Sequence, residues 1–222
     1  PIGGRIPTAK VPMNCSQSDI AFITTTLNRL YPDPKASLSC DEDPFTLLIS
    51  TLLSARCKDA RVNEIAPRLF QLASTPQAMV KLPIELIQSI IRPCGLASAK
   101  AQHIWQLSKQ LCESFHGQVP DNFKDLESLP GIGHKTASVV LGHAFHQATF
   151  PVDTHIQRLS VRWGLSQKTS VKHIEEQLKS IFPQSSWFKL HLQMIFYGRT
   201  YCNRVICKPG QLCPICQHLA LH

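Results

Sequence analysis

Apolar residues recur along the chain at helical spacing, segment after segment, with no alternating run of the kind that makes a strand. Asp43-Pro44 reads as an N-cap followed by proline at the first helical position, and Phe45, Leu48, Ile49, Leu52 and Leu53 line one face behind it. Asp59 is expected to cap a second segment bearing Val62, Ile65, Ala66, Leu69 and Phe70. Thr75-Pro76 repeats the cap-plus-proline signal for a short helix to about Leu82, and Ile84–Ile91 stops at Pro93-Cys94-Gly95. Ser98 then opens a longer helix with Ala101, Ile104, Leu107, Leu111 and Phe115 on one side. Asp121 is expected to cap Phe123–Leu129, and a further helix starts after Gly133 and runs to about Phe145. Asp153 precedes Thr154–Trp163, Ser170 precedes an amphipathic stretch through Val171, Ile174, Leu178 and Ile181, and a last helix covers Trp187–Tyr197. The expected fold class is all-α, with about ten helices and no solenoid repeat.

Composition narrows this picture. The chain has 222 residues and is 43% hydrophobic, enough for a real core and too apolar for general disorder. No apolar run approaches the roughly 18–20 residues of a bilayer span, so no membrane association is expected. Residues 1–15 are basic and rich in proline and glycine but lack a hydrophobic core segment, so they read as a native arm, a targeting remnant or a cloning remnant rather than a secretory signal. A formal charge of +8 suits a nucleic-acid partner. Of nine cysteines, Cys15, Cys40, Cys57, Cys94 and Cys112 are scattered, whereas Cys202, Cys207, Cys213 and Cys216 crowd together near the end. An oxidised scaffold would spread its bridges through a loop-rich chain, so the pattern points to a reducing compartment and one metal cluster.

Leu129-Pro130-Gly131-Ile132-Gly133 lies between two helices, where glycines permit positive φ and close backbone approach. The helix that follows offers free N–H groups and the positive end of its dipole, a place for a phosphate. Taken alone, such a turn is equally a plain helix–helix connection. Its context is LPGIGHKTA (Leu129–Ala137), followed by FPVDTH (Phe150–His155). With DPFTLLISTLLSARCKD (Asp43–Asp59), CGLASAKAQHI (Cys94–Ile104) and YGRTYC (Tyr197–Cys202), these segments resemble the endonuclease III family of helix-hairpin-helix DNA glycosylases, over most of the chain and in the family's order.

The resemblance implies roles residue by residue. Lys135 matches the catalytic lysine, which attacks a sugar C1′ and must do so as a neutral amine; without the resemblance it is a phosphate-binding surface lysine. Asp153 matches the catalytic aspartate, which stabilises positive charge on the sugar and moves protons, and it also reads as an ordinary N-cap. The hairpin residues Leu129, Gly131, Ile132, Gly133 and His134 are implied DNA contacts. Leu96 matches an apolar wedge that fills the gap left by an extruded base, or else it is a core contact after Gly95. Arg56 falls where many relatives carry a glutamine plug, a departure that bears on opposing-base preference. His155 reads as structural.

The family's cysteine loop holds a [4Fe–4S] cluster on the pattern C-x6-C-x2-C-x5-C. Here Cys202 to Cys213 is C-x10-C, Cys207 lies inside the insertion, and the position of the last cysteine is His222. The expected ligands are Cys202, Cys207, Cys213 and Cys216, with His222 as the alternative fourth. Zinc on four thiolates, or loss of the cluster, remain alternatives. Arg199, Arg204 and Lys208 are expected phosphate contacts on that loop.

The implied activity is a bifunctional DNA glycosylase and abasic-site lyase that removes oxidised pyrimidines from damaged double-stranded DNA, acting as a monomer. The implied architecture is a six-helix lobe over residues 37–147 and a discontinuous lobe from residues 16–36 and 148–222. Location would be the cytoplasm or nucleoid, or an organelle or nucleus in a eukaryote. An adenine mismatch glycosylase is disfavoured, because that branch uses a glutamate near Ser50–Ser54, where none stands, and lacks the hairpin lysine. A thymine or uracil mismatch glycosylase and a non-catalytic DNA-binding hairpin protein stay open.

Overall fold

Thr46 N–H donates to Asp43 Oδ2 at 2.8 Å, and Pro44 follows the cap as the first residue of its helix. The same device works at Thr75-Pro76 and, without proline, at Asp153. The computed structural model describes residues 15–38, 43–203, 207 and 212–220. The described residues form twelve α-helices and no strand. They are α1 (Gln17–Leu30), α2 (Pro44–Ser54), α3 (Asp59–Phe70), α4 (Pro76–Met79), α5 (Ile84–Ile91), α6 (Ala97–Ser114), α7 (Phe123–Glu127), α8 (His134–Ala144), α9 (Thr154–Arg162), α10 (Val171–Ile181), α11 (Trp187–Thr200) and α12 (Pro214–Ala220). Short 3₁₀ turns at Arg92–Cys94 and Gln184–Ser186 lead out of α5 and into α11.

Some starts differ from expectation. α3 begins at Asp59 itself, behind Lys58, so Asp59 sits in the first turn and favours the dipole there without capping. Asn122, not Asp121, caps α7, its Oδ1 accepting from Asp125 N–H at 2.9 Å. α6 opens one residue before Ser98, behind Leu96 in the left-handed region. Ser170 precedes α10 but makes no side-chain cap bond.

The chain divides into two compact units. One is Ala36–Thr149; the other draws on the chain up to Lys35 and from Phe150 onward. In the first, α2 is buried nearly all round, with Leu48, Ile49 and Leu53 fully enclosed, and α3, α6 and α8 pack about it. In the second, Trp163, the C-cap of α9, and Tyr197 of α11 are fully buried, their rings edge-on at 5.5 Å. Gln193 Nε2 donates to Asn28 Oδ1 at 3.0 Å and to the Tyr31 carbonyl at 2.8 Å, tying α11 to α1.

Candidate active site and metal centre

The hairpin between α7 and α8 divides its residues sharply. Leu129 and Ile132 are buried in the core of their unit, at 2% and 6% exposure, so their side chains anchor the turn from within. Gly131 has φ +80°, and a Cβ there would lie 2.7 Å from His103 Nδ1, so both conformation and space demand glycine. Gly133 is different. Its φ of −100° suits any residue, a Cβ would meet nothing within 4 Å, and it serves as the N-cap of α8. No side chain caps α8 from Gly133 and no acidic residue stands in its first turn, so this terminus carries the positive end of the helix dipole.

Two side chains follow at that end. The His134 ring stacks on Phe123 with centroids 4.9 Å apart, and its Nδ1 lies 2.6 Å from Glu127 Oε1, which holds it against α7. Lys135, the second residue of α8, is exposed.

Arg56 and Leu96 occupy two other turns of the same unit. Both are exposed, Leu96 at 57%, and both take left-handed backbone, φ 55° and 52°. The core-contact alternative for Leu96 is therefore not what the structure holds. Beneath them, Lys100 is buried and its ammonium donates to the carbonyls of Leu53, at 2.9 Å, and Cys94, at 3.0 Å. Burial holds this amine below its ordinary range, against the opposing pull of the Cys57 and Cys94 sulfurs. Sequence reasoning passed over Lys100. The signal was there, since Lys100, Ile104, Leu107 and Leu111 share one helical register that is otherwise apolar.

In the other unit, one carboxylate oxygen of Asp153, Oδ1, accepts from His155 N–H at 2.8 Å and Ile156 N–H at 2.9 Å. The group is half-buried and fixed at the positive end of α9, with Oδ2 outside both cap bonds. His155 accepts from Arg158 Nη2 at 3.1 Å, and burial keeps its imidazole below the ordinary value. Arg158 also donates to the carbonyls of Gly198 and Cys202, each at 3.0 Å.

The four late cysteines converge. Their sulfurs lie within 4.8 Å of one another and all four residues are buried. Arg162 Nη1 donates to Cys202 Sγ at 3.2 Å, and Cys213 N–H donates to Cys207 Sγ at 3.4 Å. The Cys202 and Cys216 thiols, joined by the Tyr197 hydroxyl, donate to Cys213 and hold its thiol below the ordinary value, against its burial. Tyr197 in turn accepts from Ile215 N–H at 3.1 Å. Cys216 rides on α12, a helix that sequence reasoning missed because only seven residues carry it. Arg158 and Arg162, one turn apart on α9, were missed as well, although their four-residue spacing marks a basic stripe.

Four buried thiols are the soft donor set of iron–sulfur clusters and closed zinc sites, so these cysteines form a site able to hold a metal centre. Cys202 and Cys216 sulfurs stand 3.7 Å apart, near the about 3.8 Å that tetrahedral bonds of about 2.3 Å to one ion give. Cys207 thus stands with the other three sulfurs, while Arg204, Lys208 and His222 lie outside the described residues. Arg199 is exposed at the end of α11.

Comparison with known proteins follows from this geometry. Residues 49–184 match the family model of the HhH-GPD superfamily base excision DNA repair proteins. The chain is 38% identical over 197 residues to the endonuclease III of Synechocystis sp., spanning 87% of this chain and 90% of that protein. It is also similar to a trapped endonuclease III–DNA covalent intermediate, with a TM-score of 0.83, 35% identity, and coverage of 91% of this chain and 98% of the other. A non-covalent endonuclease III–DNA complex gives a TM-score of 0.84 at 34% identity, over 93% and 99% of the two chains.

Proposed function

We propose a residue-level mechanism from the premise that the chain belongs to the endonuclease III family of HhH-GPD base excision DNA repair proteins. Its activity is that of a DNA glycosylase and abasic-site lyase, and damaged double-stranded DNA is the substrate we assign. Lys135 Nζ, as the neutral amine, attacks C1′ of the extruded nucleotide and the bond to the base breaks, the base leaving with a proton. The attached nitrogen loses its proton and the C1′–O4′ bond opens, O4′ taking up a proton, which leaves an imine between lysine and the ring-opened sugar. Loss of a C2′ proton then expels the 3′ phosphate, and water releases the lysine. Asp153, through Oδ2, stabilises positive charge as the base departs and carries protons between the stages. Arg56 and Leu96 fill the gap in the stack, and the amides at the start of α8 bind backbone phosphate.

Cys202, Cys207, Cys213 and Cys216 are assigned to a [4Fe–4S] cluster, whose contribution when bound is to cross-link the loop after α11. Arg162 neutralises part of the thiolate charge there. Family membership supports iron over zinc, and the all-thiol donor set is compatible with either. We assign a monomer acting in a reducing compartment; the eight cysteines among the described residues are all free. Among those residues no helix is long and apolar enough to cross a membrane.

The single observation that carries the mechanism is an exposed lysine at the second position of a helix that begins at a glycine, with no side-chain cap and no acidic residue in its first turn. The test is product analysis on a duplex with one oxidised pyrimidine. Released base together with a strand ending in a 3′ unsaturated aldehyde is expected. Base release that leaves an intact abasic strand would contradict the lyase half and favour a mismatch-type glycosylase.

A further inference from the structure

Arg56 and Leu96 lie in separate turns, after α2 and before α6, and each turn holds a non-glycine residue in left-handed backbone. That conformation persists only where the surroundings enforce it. One side chain reaches both turns. Lys100 Nζ donates to Leu53 O, among the last carbonyls of α2 and three residues before Arg56, and to Cys94 O, two residues before Leu96. Its own backbone N–H donates to Leu96 O at 3.0 Å. The two side-chain acceptors are helix-terminal carbonyls, the negative ends of their helices, and an ammonium suits both.

An apolar residue at this register would fill the core without the desolvation cost of a buried cation. The hydrogen bonds of Lys100 go to backbone carbonyls, not to a carboxylate, so what they fix is chain position. The parts of the chain they fix are the approaches to Arg56 and Leu96.

We infer that Lys100 is a positioning residue for duplex opening, one buried strut that sets the wedge turn and the plug turn at a common spacing. The inference rests on the proposed roles of Arg56 and Leu96 in filling the gap left by an extruded base. Lys100 touches neither the base nor the sugar. Its effect is confined to the step in which paired, stacked DNA is forced open, and a nucleotide already unpaired does not need it.

The test compares single-turnover excision of one oxidised pyrimidine in two contexts, fully paired and inside a short bubble of mismatched bases. Wild type, Lys100→Met and Lys100→Gln are measured on the full chain, with thermal unfolding recorded for each. The expected result is a fall of at least tenfold on the paired substrate and less than threefold in the bubble. Placed on a Leu96→Ala background, Lys100→Met should cost less on the paired substrate than it does alone, since both act on one step. Equal losses in the two contexts, no loss in either, or failure of both variants to fold would make Lys100 an ordinary core residue and overturn the inference. Wild type inactive on both substrates would instead overturn the glycosylase assignment, and this inference with it.

Discussion

The His103 ring fills the space in which a side chain at Gly131 would begin, with Nδ1 2.7 Å from the Cβ position. Since Gly131 also has φ +80°, Gly131→Ala is expected to destabilise the protein by about 1–3 kcal/mol through backbone strain, with further loss from the clash. Gly133→Ala tests the other half of the turn. It should leave stability within about 1 kcal/mol, because its φ is ordinary and the added methyl meets nothing. That methyl would enter the space where a phosphate reaches the α8 amides, so DNA affinity should drop severalfold. Chemical denaturation and fluorescence anisotropy on a duplex measure the two effects.

Asp153 has two jobs that substitution can separate. Asparagine retains a cap oxygen for His155 and Ile156, so Asp153→Asn should keep stability to within a few tenths of a kcal/mol while slowing base excision by roughly a hundredfold or more. Asp153→Ala should lose about 1 kcal/mol of stability in addition. Equal stability losses in the two variants would contradict the capping account, and unimpaired excision by Asp153→Asn would contradict the catalytic one.

What sequence made legible follows from how local each signal is. The caps at Asp43, Thr75 and Asp153 were readable because the acceptor side chain immediately precedes its own helix. The start of α7 slipped by one residue because Asp121 and Asn122 are both competent caps, and only backbone geometry selects between them. That the Leu129 and Ile132 side chains point into the core was not readable, since a motif gives membership of a turn but not which side chains point inward. Lys100, Arg158 and Arg162 each reach a carbonyl or sulfur 40 or more residues away along the chain, a partner that no local pattern names. Convergence of the four cysteines was signalled by their crowding, and Cys207 was selectable because thiolate is the usual cluster ligand.

The metal centre gives a direct analytical test. Purified protein should carry iron and inorganic sulfide and absorb in the visible, while Cys207→Ser should lose at least half of that iron. His222→Ala should retain it. Stoichiometric zinc without iron would contradict the cluster assignment, and iron loss in His222→Ala with retention in Cys207→Ser would reverse the fourth ligand.

His155 predicts a pH effect of definite sign. Burial lowers its folded-state value below 6.5, outweighing the favourable Asp153 charge, while Arg158 and Arg199 push the same way as burial. Between the folded value and 6.5 the unfolded chain therefore binds the extra proton, and stability rises with pH through that window. Acidification from above 6.5 should lower the urea midpoint, and His155→Asn should flatten that part of the dependence. A slope unchanged by the substitution would show that other groups set it.

Borohydride trapping tests the central assignment most directly, because only an imine between protein and sugar is captured. Wild type and Lys135→Gln are incubated with a duplex bearing an oxidised pyrimidine and with one bearing an abasic site. A covalent protein–DNA adduct on both duplexes, absent from Lys135→Gln although it still binds DNA, is the predicted result. An adduct that survives in Lys135→Gln, or no adduct from wild type that binds either duplex, would contradict it.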